Sequence, residues 1–398
     1  MKVIFISPTF TPQMSGYAGM ALPKAMAKLG IEVHVIAGNL NVYYYLPEYK
    51  KVYEPFIGPA VTDCGVEKHE GYTLHRLQHL SLCKQIRLKG MLRTLRKIQP
   101  NIVHTWTNIS LIALESAVWS KLLGYKLFTA QHNSNSTFFL ATQDKISLAD
   151  KIKNFFLRFS QGRVISFFTE KCYPPTPDCL EIAVRFMGVH RQKCSLRPLG
   201  VDTELFYPIR TRDEDKKRQV LRKHFGFRPD DIVCIYTGRL TYGKNPLCLA
   251  QAVSNLLAAG RPFKGLFVGN GRQKAEIESF EGCVVHPFVK YLELTKYYQI
   301  ADVAVYPVEY TTSMLEAAAC GLPLVISNRI QAKERIEGNG LTYAENDPQD
   351  LIHTLKKLED IGERSRLGLA GTQKMNQSFS WLNVAGRTLN DFQNSFQK

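Results

Sequence analysis

The sequence predicts an α/β fold with two Rossmann-like, doubly wound domains, because two sets of short apolar strands alternate with helical segments. In the first half, an apolar run at 3–6 leads through a glycine-containing loop to a helix at 23–29 and a second strand at 31–36. This order is typical of a right-handed βαβ unit in a parallel sheet covered by helices. Further strands of this set are predicted at 100–104 and 125–130.

The second half repeats the arrangement with strands of its own, at 232–236, 263–268, 283–285, 303–306 and 324–327. Helical patterns lie between them, at 247–259 and 291–300. A Pro/Gly segment at 197–202, followed by the highly charged residues 210–218, marks the domain boundary. We therefore expect two domains, at 1–198 and at 199–378, and a separate terminal segment at 379–398.

The amino-acid composition excludes several classes of protein. The apolar content of 45% and charged content of 22% are typical of a soluble globular protein. Nine scattered cysteines without a C-x-x-C pair argue against a disulfide framework or a metal site and favour a reducing compartment. No signal-peptide pattern or membrane-spanning apolar run is present, so we expect a cytoplasmic location, with peripheral contact at the inner face of the membrane as an option.

The net charge of +16 is concentrated in the first half. Residues 1–198 contain 25 Lys and Arg against 12 Asp and Glu, whereas residues 199–398 contain 26 against 23. Such a basic domain can attract anionic lipid, nucleic acid or an acidic substrate. Cations are densest at 84–98, where apolar residues at helical spacing lie opposite Arg87, Arg93 and Arg96. This pattern predicts a basic surface helix, and docking on a membrane is the second interpretation.

The most informative motif is YTGRLTYGKNP at 236–246, which follows a predicted strand and carries Arg239 and Lys244. Residues 238–244 match the first seven positions of a nucleotide-triphosphatase P-loop, but Asn245 stands where that motif needs a Ser or Thr to hold magnesium. Alternatively, the two cations hold a diphosphate at the carboxyl end of a parallel sheet. A charged surface turn without a ligand also fits these residues.

Landmarks along nearly the whole chain resemble retaining glycosyltransferases of family 4, which have the GT-B fold. They are MKVIFISP at 1–8, SGYAG at 15–19, LGIEVHVI at 29–36, PNIVH at 100–104, LGVD at 199–202 with FYP at 206–208, YTGRL at 236–240 with Lys244, LFVGNG at 266–271, LEAAACGLPLV at 315–325 and FSW at 379–381. The resemblance implies transfer of a sugar from a nucleotide diphosphate sugar, with retention at the anomeric carbon and without a required cofactor or metal. It also implies two facing domains, of which 1–198 is the acceptor side and 199–378 binds the nucleotide sugar. A terminal helix at 379–398 would cross back to the first domain.

The resemblance assigns roles to single residues of the second domain. Arg239 and Lys244 match the paired cations that stabilise the departing diphosphate, and Gly238 lies in the same loop. Thr311, Thr312 and Ser313 precede a helix at 314–320, where they can bind an anion or cap the helix. The remaining donor-binding residues implied by the resemblance are Gly269 and Gly271, beside the base, and Glu316, on the ribose.

One position departs from the family pattern. Glu316 matches the second glutamate of the E-x7-E motif, but the first would fall on Val308. The nearest carboxylate is Glu309, which we retain as a candidate catalytic residue for contact with the donor sugar.

In the first domain, His132 matches the family histidine near the transferred sugar, although a structural loop histidine is the alternative. Gly16 and Gly19 match the loop that approaches donor phosphate and acceptor. The segment at 41–46 and the basic residues near position 90 are candidates for acceptor binding. We expect a glycan or lipid-linked acceptor and no nucleic-acid partner.

Four other functions compete with this interpretation. A P-loop nucleotide triphosphatase requires a metal ligand that the motif lacks. A nucleotide-sugar epimerase or a phosphorylase of the same fold shares the diphosphate chemistry. A binding protein that keeps the fold, but has lost catalysis, would be consistent with the altered E-x7-E motif.

Overall fold

The computed structural model describes residues 1–14, 16–69, 71–82, 85–135, 137–143, 145–308 and 311–397. The chain forms two compact units. The first unit is Met1–Leu199 with Trp381–Lys398, and the second unit is Gly200–Ser380. The boundaries expected from the sequence, at 198/199 and 378/379, lie beside these divisions.

The first unit is built on a parallel sheet. Its strands are β1 (Lys2–Ser7), β2 (Glu32–Gly38), β3 (Gly65–His69), β4 (Tyr72–Leu77), β5 (His79–Leu82), β6 (Gln85–Leu88), β7 (Ile102–Thr105), β8 (Lys126–Ala130) and β9 (Thr169–Tyr173). The order in the sheet is β3-β4-β2-β1-β7-β8-β9, in which β3 alone runs antiparallel to its described neighbour, while β5 and β6 form a separate antiparallel hairpin. Strand order reverses direction at β1 and β7, which is where open α/β sheets bind their ligands.

Helices cover both faces of this sheet. They are α1 (Ala18–Lys28), α2 (Tyr49–Val52), α3 (Glu54–Ile57), α4 (Met91–Ile98), α5 (Leu111–Leu123), α6 (Leu148–Asn154), α7 (Ser160–Phe168) and α8 (Pro177–Arg185). A π-helical turn, Phe155–Phe159, joins α6 to α7. Residues 3–6 of β1 are all apolar because both faces of the strand are buried. Val3 and Phe5 pack into the core cluster that includes α1, whereas Ile4 and Ile6 pack with α4 and α5.

The second unit contains a fully parallel sheet in the order β12-β11-β10-β13-β14-β15. Its elements are α9 (Arg212–His224), β10 (Ile232–Thr237), α10 (Pro246–Ala258), β11 (Phe263–Val268), α11 (Lys274–Glu278), β12 (Cys283–His286), α12 (Thr295–Ile300), β13 (Val303–Tyr306), α13 (Thr312–Ala319), β14 (Leu324–Ser327), β15 (Gly340–Tyr343), α14 (Pro348–Lys356) and α15 (Ile361–Lys374). The strand order changes direction between β10 and β13.

The last helix, α16 (Trp381–Asn394), belongs to the first unit and packs against α1. Its half of the interface includes Trp381, Val384, Ala385 and Phe392, which join the core of that unit. Asp391 adds a polar anchor, since its carboxylate accepts hydrogen bonds from Lys171, Arg197 and the Tyr173 hydroxyl. The terminal helix is therefore held to the first unit by both apolar packing and ion pairs.

The basic segment at 84–98 is not one helix, so that prediction was wrong in part. Residues 85–88 form strand β6, and only Met91–Ile98 is helical because the left-handed Gly90 begins α4. Leu88, Met91 and Leu95 are buried as the spacing suggests. Arg87 lies on the strand and pairs with Glu115 of α5 instead of extending the basic face of the helix.

No helix within the described ranges is long and apolar enough to cross a bilayer.

Candidate functional site

Three of the predicted groups in the second unit meet at one edge of its sheet. The Gly238 loop follows β10, the Gly269 loop follows β11, and the Thr311 segment follows β13. Since β11, β10 and β13 are neighbours and run parallel, their carboxyl ends lie together. The change of strand order between β10 and β13 makes this edge the expected ligand crevice of a doubly wound sheet.

The Arg239 guanidinium is available for a ligand. Its side chain is exposed and forms no hydrogen bond or ion pair within the described part of the chain. The backbone around it is fixed, because the Tyr236 hydroxyl donates to the Arg239 carbonyl over 3.1 Å. Lys244, which is partly buried, ends a short 3-10 turn in which its N–H donates to the Thr241 carbonyl. The loop thus presents an arginine fork from a rigid main chain.

Asn245 explains why the P-loop pattern fails here. Its φ of 44° lies in the left-handed region, which asparagine tolerates better than serine or threonine. Its side-chain amide donates to the Asn346 side chain over 2.8 Å. The eighth position of the motif therefore holds a turn and joins two loops, and it is not arranged as a magnesium ligand.

The glycines after β11 are required by close backbone packing. A Cβ on Gly269 would lie 1.9 Å from the Gly238 carbonyl oxygen, and one on Gly271 would lie 2.1 Å from the Leu240 carbonyl oxygen. Hydrogen bonds from Leu240 N–H to Asn270 and from Gln273 N–H to Leu240 link the two loops. Gly269 and Gly271 thus position the loop that carries Arg239, whether or not they also touch a ligand.

At the start of α13, the side chain of Thr311 is a helix cap. Its hydroxyl accepts a hydrogen bond from the Ser313 N–H over 3.2 Å, so this oxygen is already engaged. The Ser313 carbonyl accepts from the Tyr306 hydroxyl over 2.9 Å. Thr312 and Ser313 begin the helix, where its dipole favours an anion. Glu309 lies outside the described residues.

Glu316 lies beneath this edge in a network of tyrosines. Only 4% of the residue is exposed, and the Tyr298 hydroxyl donates to its carboxylate over 3.0 Å. Tyr291 is a second hydrogen-bonding partner. Tyr298 and Tyr306 also contact the Thr237 hydroxyl, over 2.9 and 3.1 Å. This network links the end of β10, just before Arg239, to α13 and was not visible in the sequence.

Burial raises the pKa of Glu316 to about 7, although its tyrosine hydrogen bonds act in the opposite direction. The folded state therefore retains this proton more strongly than the unfolded chain. The associated stability is present below the ordinary glutamate pKa and is lost as the pH rises through 7, to a total of about 3 kcal/mol.

Glu316→Gln removes this titration and keeps a hydrogen-bonding partner for the tyrosines. We expect the unfolding midpoint of the wild type, relative to that of the variant, to fall between about pH 5 and about pH 8. Thermal unfolding at both pH values measures the difference. Parallel pH dependences of the two proteins would contradict a buried, protonatable Glu316.

The predicted residues of the first unit also lie at carboxyl ends of strands. Gly16 and Gly19 follow β1, and His132 follows β8. Between them, the loop after β7 places Trp106, whose ring centroid is 5.9 Å from that of His132. A Cβ on Gly19 would lie 3.6 Å from Trp106 Nε1, an ordinary contact distance. Local packing therefore does not demand a glycine at position 19.

His132 is solvent-accessible but is surrounded by enough protein to lower its pKa, through desolvation, to about 4. Its imidazole is consequently neutral at pH 7 and can both donate and accept a hydrogen bond.

Trp106 is a candidate that the sequence analysis missed. Its Nε1 is buried and has no hydrogen-bond partner among the described residues, and buried indole N–H groups are normally paired. The only sequence signal was an aromatic residue directly after a predicted strand. In the segment at 41–46, Asn41 is buried and donates to the Ile57 and Pro59 carbonyls, whereas Tyr45 is 68% exposed.

Part of the second unit matches a known protein family. The family described as glycosyl transferases group 1 matches residues 231–360, which include the Arg239 loop, the Gly269 loop and α13. The matched residues lie within the second unit and cover most of it. The predicted family relationship is thereby confirmed.

Several curated relatives of this family resemble the chain. A D-inositol 3-phosphate glycosyltransferase of Xylanimonas cellulosilytica is 29% identical over 58% of this chain and 59% of its own length. A GDP-mannose-dependent mannosyltransferase of Mycobacterium tuberculosis, which is named for phosphatidylinositol dimannoside, is 27% identical over 48% and 50%. The chain thus spans only about half of these relatives. An alpha-monoglucosyldiacylglycerol synthase of Acholeplasma laidlawii is 24% identical over 92% and 91%.

Solved structures match the fold over the whole chain. A glycosyltransferase of Rickettsia africae has a TM-score of 0.69 at 16% identity, covering 100% of this chain and 99% of its own. The Anabaena protein HepE in complex with UDP has a TM-score of 0.69 at 14% identity, covering 99% and 100%. The GT-B fold with two Rossmann-like domains, expected from the sequence, is confirmed.

Proposed function

We propose that this protein is a retaining, metal-independent glycosyltransferase that moves a sugar from a nucleotide diphosphate sugar to a hydroxyl of a glycan or lipid-linked acceptor. The observation that carries the proposal is the exposed guanidinium of Arg239, which has no partner among the described residues. It lies in the same loop as Lys244, at the ligand edge of a unit that matches glycosyl transferases group 1. The proposal is also supported by a similar protein whose solved structure contains UDP.

In the proposed reaction, the bond between the anomeric carbon and the diphosphate oxygen breaks while an acceptor hydroxyl oxygen forms the new glycosidic bond and passes its proton to the departing diphosphate. The electron pair leaves with the nucleoside diphosphate. Arg239 and Lys244 stabilise the charge that develops on this leaving group, aided by the amino end of α13. Two fixed cations can supply this stabilisation without a metal ion.

Residues of the first unit are proposed to hold the transferred sugar. The neutral imidazole of His132 can hydrogen-bond a sugar hydroxyl. The Nε1–H of Trp106, which has no partner in the described part of the chain, offers a further donor. Gly16, in the loop after β1, and Gly19, in the first turn of α1, are proposed to approach the donor phosphate or the acceptor. Glu316 is proposed to accept a hydrogen bond from a ribose hydroxyl, while Tyr298 and Tyr291 orient its carboxylate.

A lipid-linked acceptor is favoured by the relatives named for phosphatidylinositol dimannoside and diacylglycerol products and by the basic first half of the chain. We therefore propose that the protein works in the cytoplasm, in peripheral contact with the inner face of an anionic membrane.

A panel of nucleotide sugars, assayed for nucleotide release with glycan and lipid acceptors, tests the proposal. We expect acceptor-dependent release that persists in EDTA, and an α-linked donor should give an α-linked product by NMR. Isomerised donor would indicate an epimerase instead. A sugar phosphate formed only with inorganic phosphate would indicate a phosphorylase, and the absence of turnover with every donor would indicate a binding protein.

A further inference from the structure

We propose that the helical segment 148–168 of the first unit, formed by α6, the π-helical turn and α7, docks on the surface of an anionic phospholipid bilayer. This surface is distinct from the basic segment near residue 90 that the sequence singled out. We call it the outer helix. At 1.5 Å per residue, it is about 30 Å long.

The outer helix exposes its apolar side chains, which is the reverse of a normal surface helix. Leu148, Phe156 and Phe167 are 73%, 70% and 71% exposed. Ile152, Phe155, Leu157 and Val164 are also at least about half exposed. Leu148, Ile152, Phe155 and Phe156 follow helical spacing, so they form one continuous stripe. Monomeric soluble proteins rarely expose a contiguous apolar stripe of this size.

The buried side of the same helix is small and polar. Asn154, Gly162 and Ser166 are buried there, together with Ile165. A Cβ on Gly162 would lie 1.8 Å from the Met187 carbonyl oxygen, so the helix packs backbone to backbone on the segment after α8. The Asn154 amide donates to the Phe186 carbonyl over 2.9 Å. The helix is therefore fixed in its inverted orientation, with Phe155, Phe156 and Phe167 outward.

The charges beside the apolar stripe indicate an anionic partner. Residues 145–167 contain five lysine or arginine residues and one aspartate. Lys145, Lys151 and Lys153 are exposed alongside the apolar stripe. Exposed phenylalanines and leucines flanked by lysines are the composition of a helix that lies in the interface of an anionic membrane.

A cavity beneath the apolar stripe also favours an anionic phospholipid as the partner. Its volume is about 270 Å³, and Phe155, Phe159 and Phe186 line it together with Lys151 and Arg185. An apolar recess with two cations in its wall suits an anionic amphiphile, whose chain contacts the rings while its phosphate meets the ammonium and guanidinium groups.

Vesicle sedimentation of the full chain tests the proposal. We expect binding to vesicles of equal parts phosphatidylglycerol and phosphatidylcholine, little binding to phosphatidylcholine alone, and weakening by salt. Phe156→Ser with Phe167→Ser, and separately Lys151→Glu with Lys153→Glu, should each lower the apparent affinity by about tenfold or more. Leu122→Ser, at a comparably exposed site on α5, and Arg93→Glu with Arg96→Glu, on α4, are the matched controls.

Fluorescence and oligomeric state distinguish docking on a bilayer from binding elsewhere on the protein and from dimerisation. Phe156→Trp should shift its fluorescence to the blue when anionic vesicles are added, whereas Leu122→Trp should not. Vesicle binding that survives both outer-helix variants, or that is lost only in the α4 variant, would overturn the proposal. So would a dimer that Phe156→Ser with Phe167→Ser converts to a monomer without any vesicle binding.

The purpose of this docking rests on the proposed transfer to a membrane-presented acceptor, but the measurement needs neither donor nor acceptor. If vesicles bind and no nucleotide sugar turns over, the proposed function fails while the docking surface stands. If turnover of a soluble acceptor is normal and vesicles do not bind, the docking surface fails alone.

Discussion

Arg239→Ala is expected to lower kcat by about 10²- to 10³-fold while leaving the unfolding midpoint almost unchanged, since a fixed donor to a developing oxyanion has about this effect. The side chain is exposed and has no described protein partner, so its loss removes no structural contact. Steady-state nucleotide release with the preferred donor measures the effect. Lys244→Ala should also lower kcat.

The matched control is Arg212→Ala, which removes an exposed arginine of α9 that also lacks a described partner. It should keep wild-type kinetics. Arg239→Lys distinguishes a point charge from the guanidinium fork and should restore only part of the rate. A fully active Arg239→Ala enzyme would remove this loop from the mechanism.

Gly269→Ala is expected to abolish most of the activity and to destabilise the protein by about 2–4 kcal/mol. The residue has a φ of 153°, where a side chain is strained, and the new Cβ would lie 1.9 Å from the Gly238 carbonyl oxygen. The Arg239 loop must therefore move. Urea unfolding and nucleotide release measure the two effects.

Gly243→Ala is the control for stability, because it lies in the same loop and its added Cβ meets nothing within 4 Å. It should unfold at the wild-type midpoint. Equal stability of Gly269→Ala and Gly243→Ala would mean that the two βα loops do not depend on each other as their backbone packing indicates.

Much of the fold could be predicted from the sequence because parallel strands buried on both faces are continuous apolar runs. β1, β10 and β13 are examples. The residues at 85–88 were misassigned because apolar side chains also suit a strand, and only the left-handed Gly90 separates β6 from α4. Short segments of this kind are decided by tertiary pairing, here the hairpin of β5 and β6.

The candidate site was predictable where a motif follows a strand, as at Arg239 and Gly269. The tyrosines around Glu316 could not be found because Tyr291, Tyr298 and Tyr306 come from three separate elements that only the fold brings together. The outer helix was missed for a different reason. Its apolar spacing is that of an ordinary amphipathic helix, and the sequence does not reveal which face is buried.

The most direct test of the central claim is calorimetric titration of the protein with UDP, GDP and ADP in the presence of EDTA. We expect at least one nucleoside diphosphate to bind without metal and Arg239→Ala to weaken its affinity by about tenfold or more. Arg212→Ala should bind like the wild type. No binding of any nucleoside diphosphate, or equal affinities of the wild type and Arg239→Ala, would contradict the account.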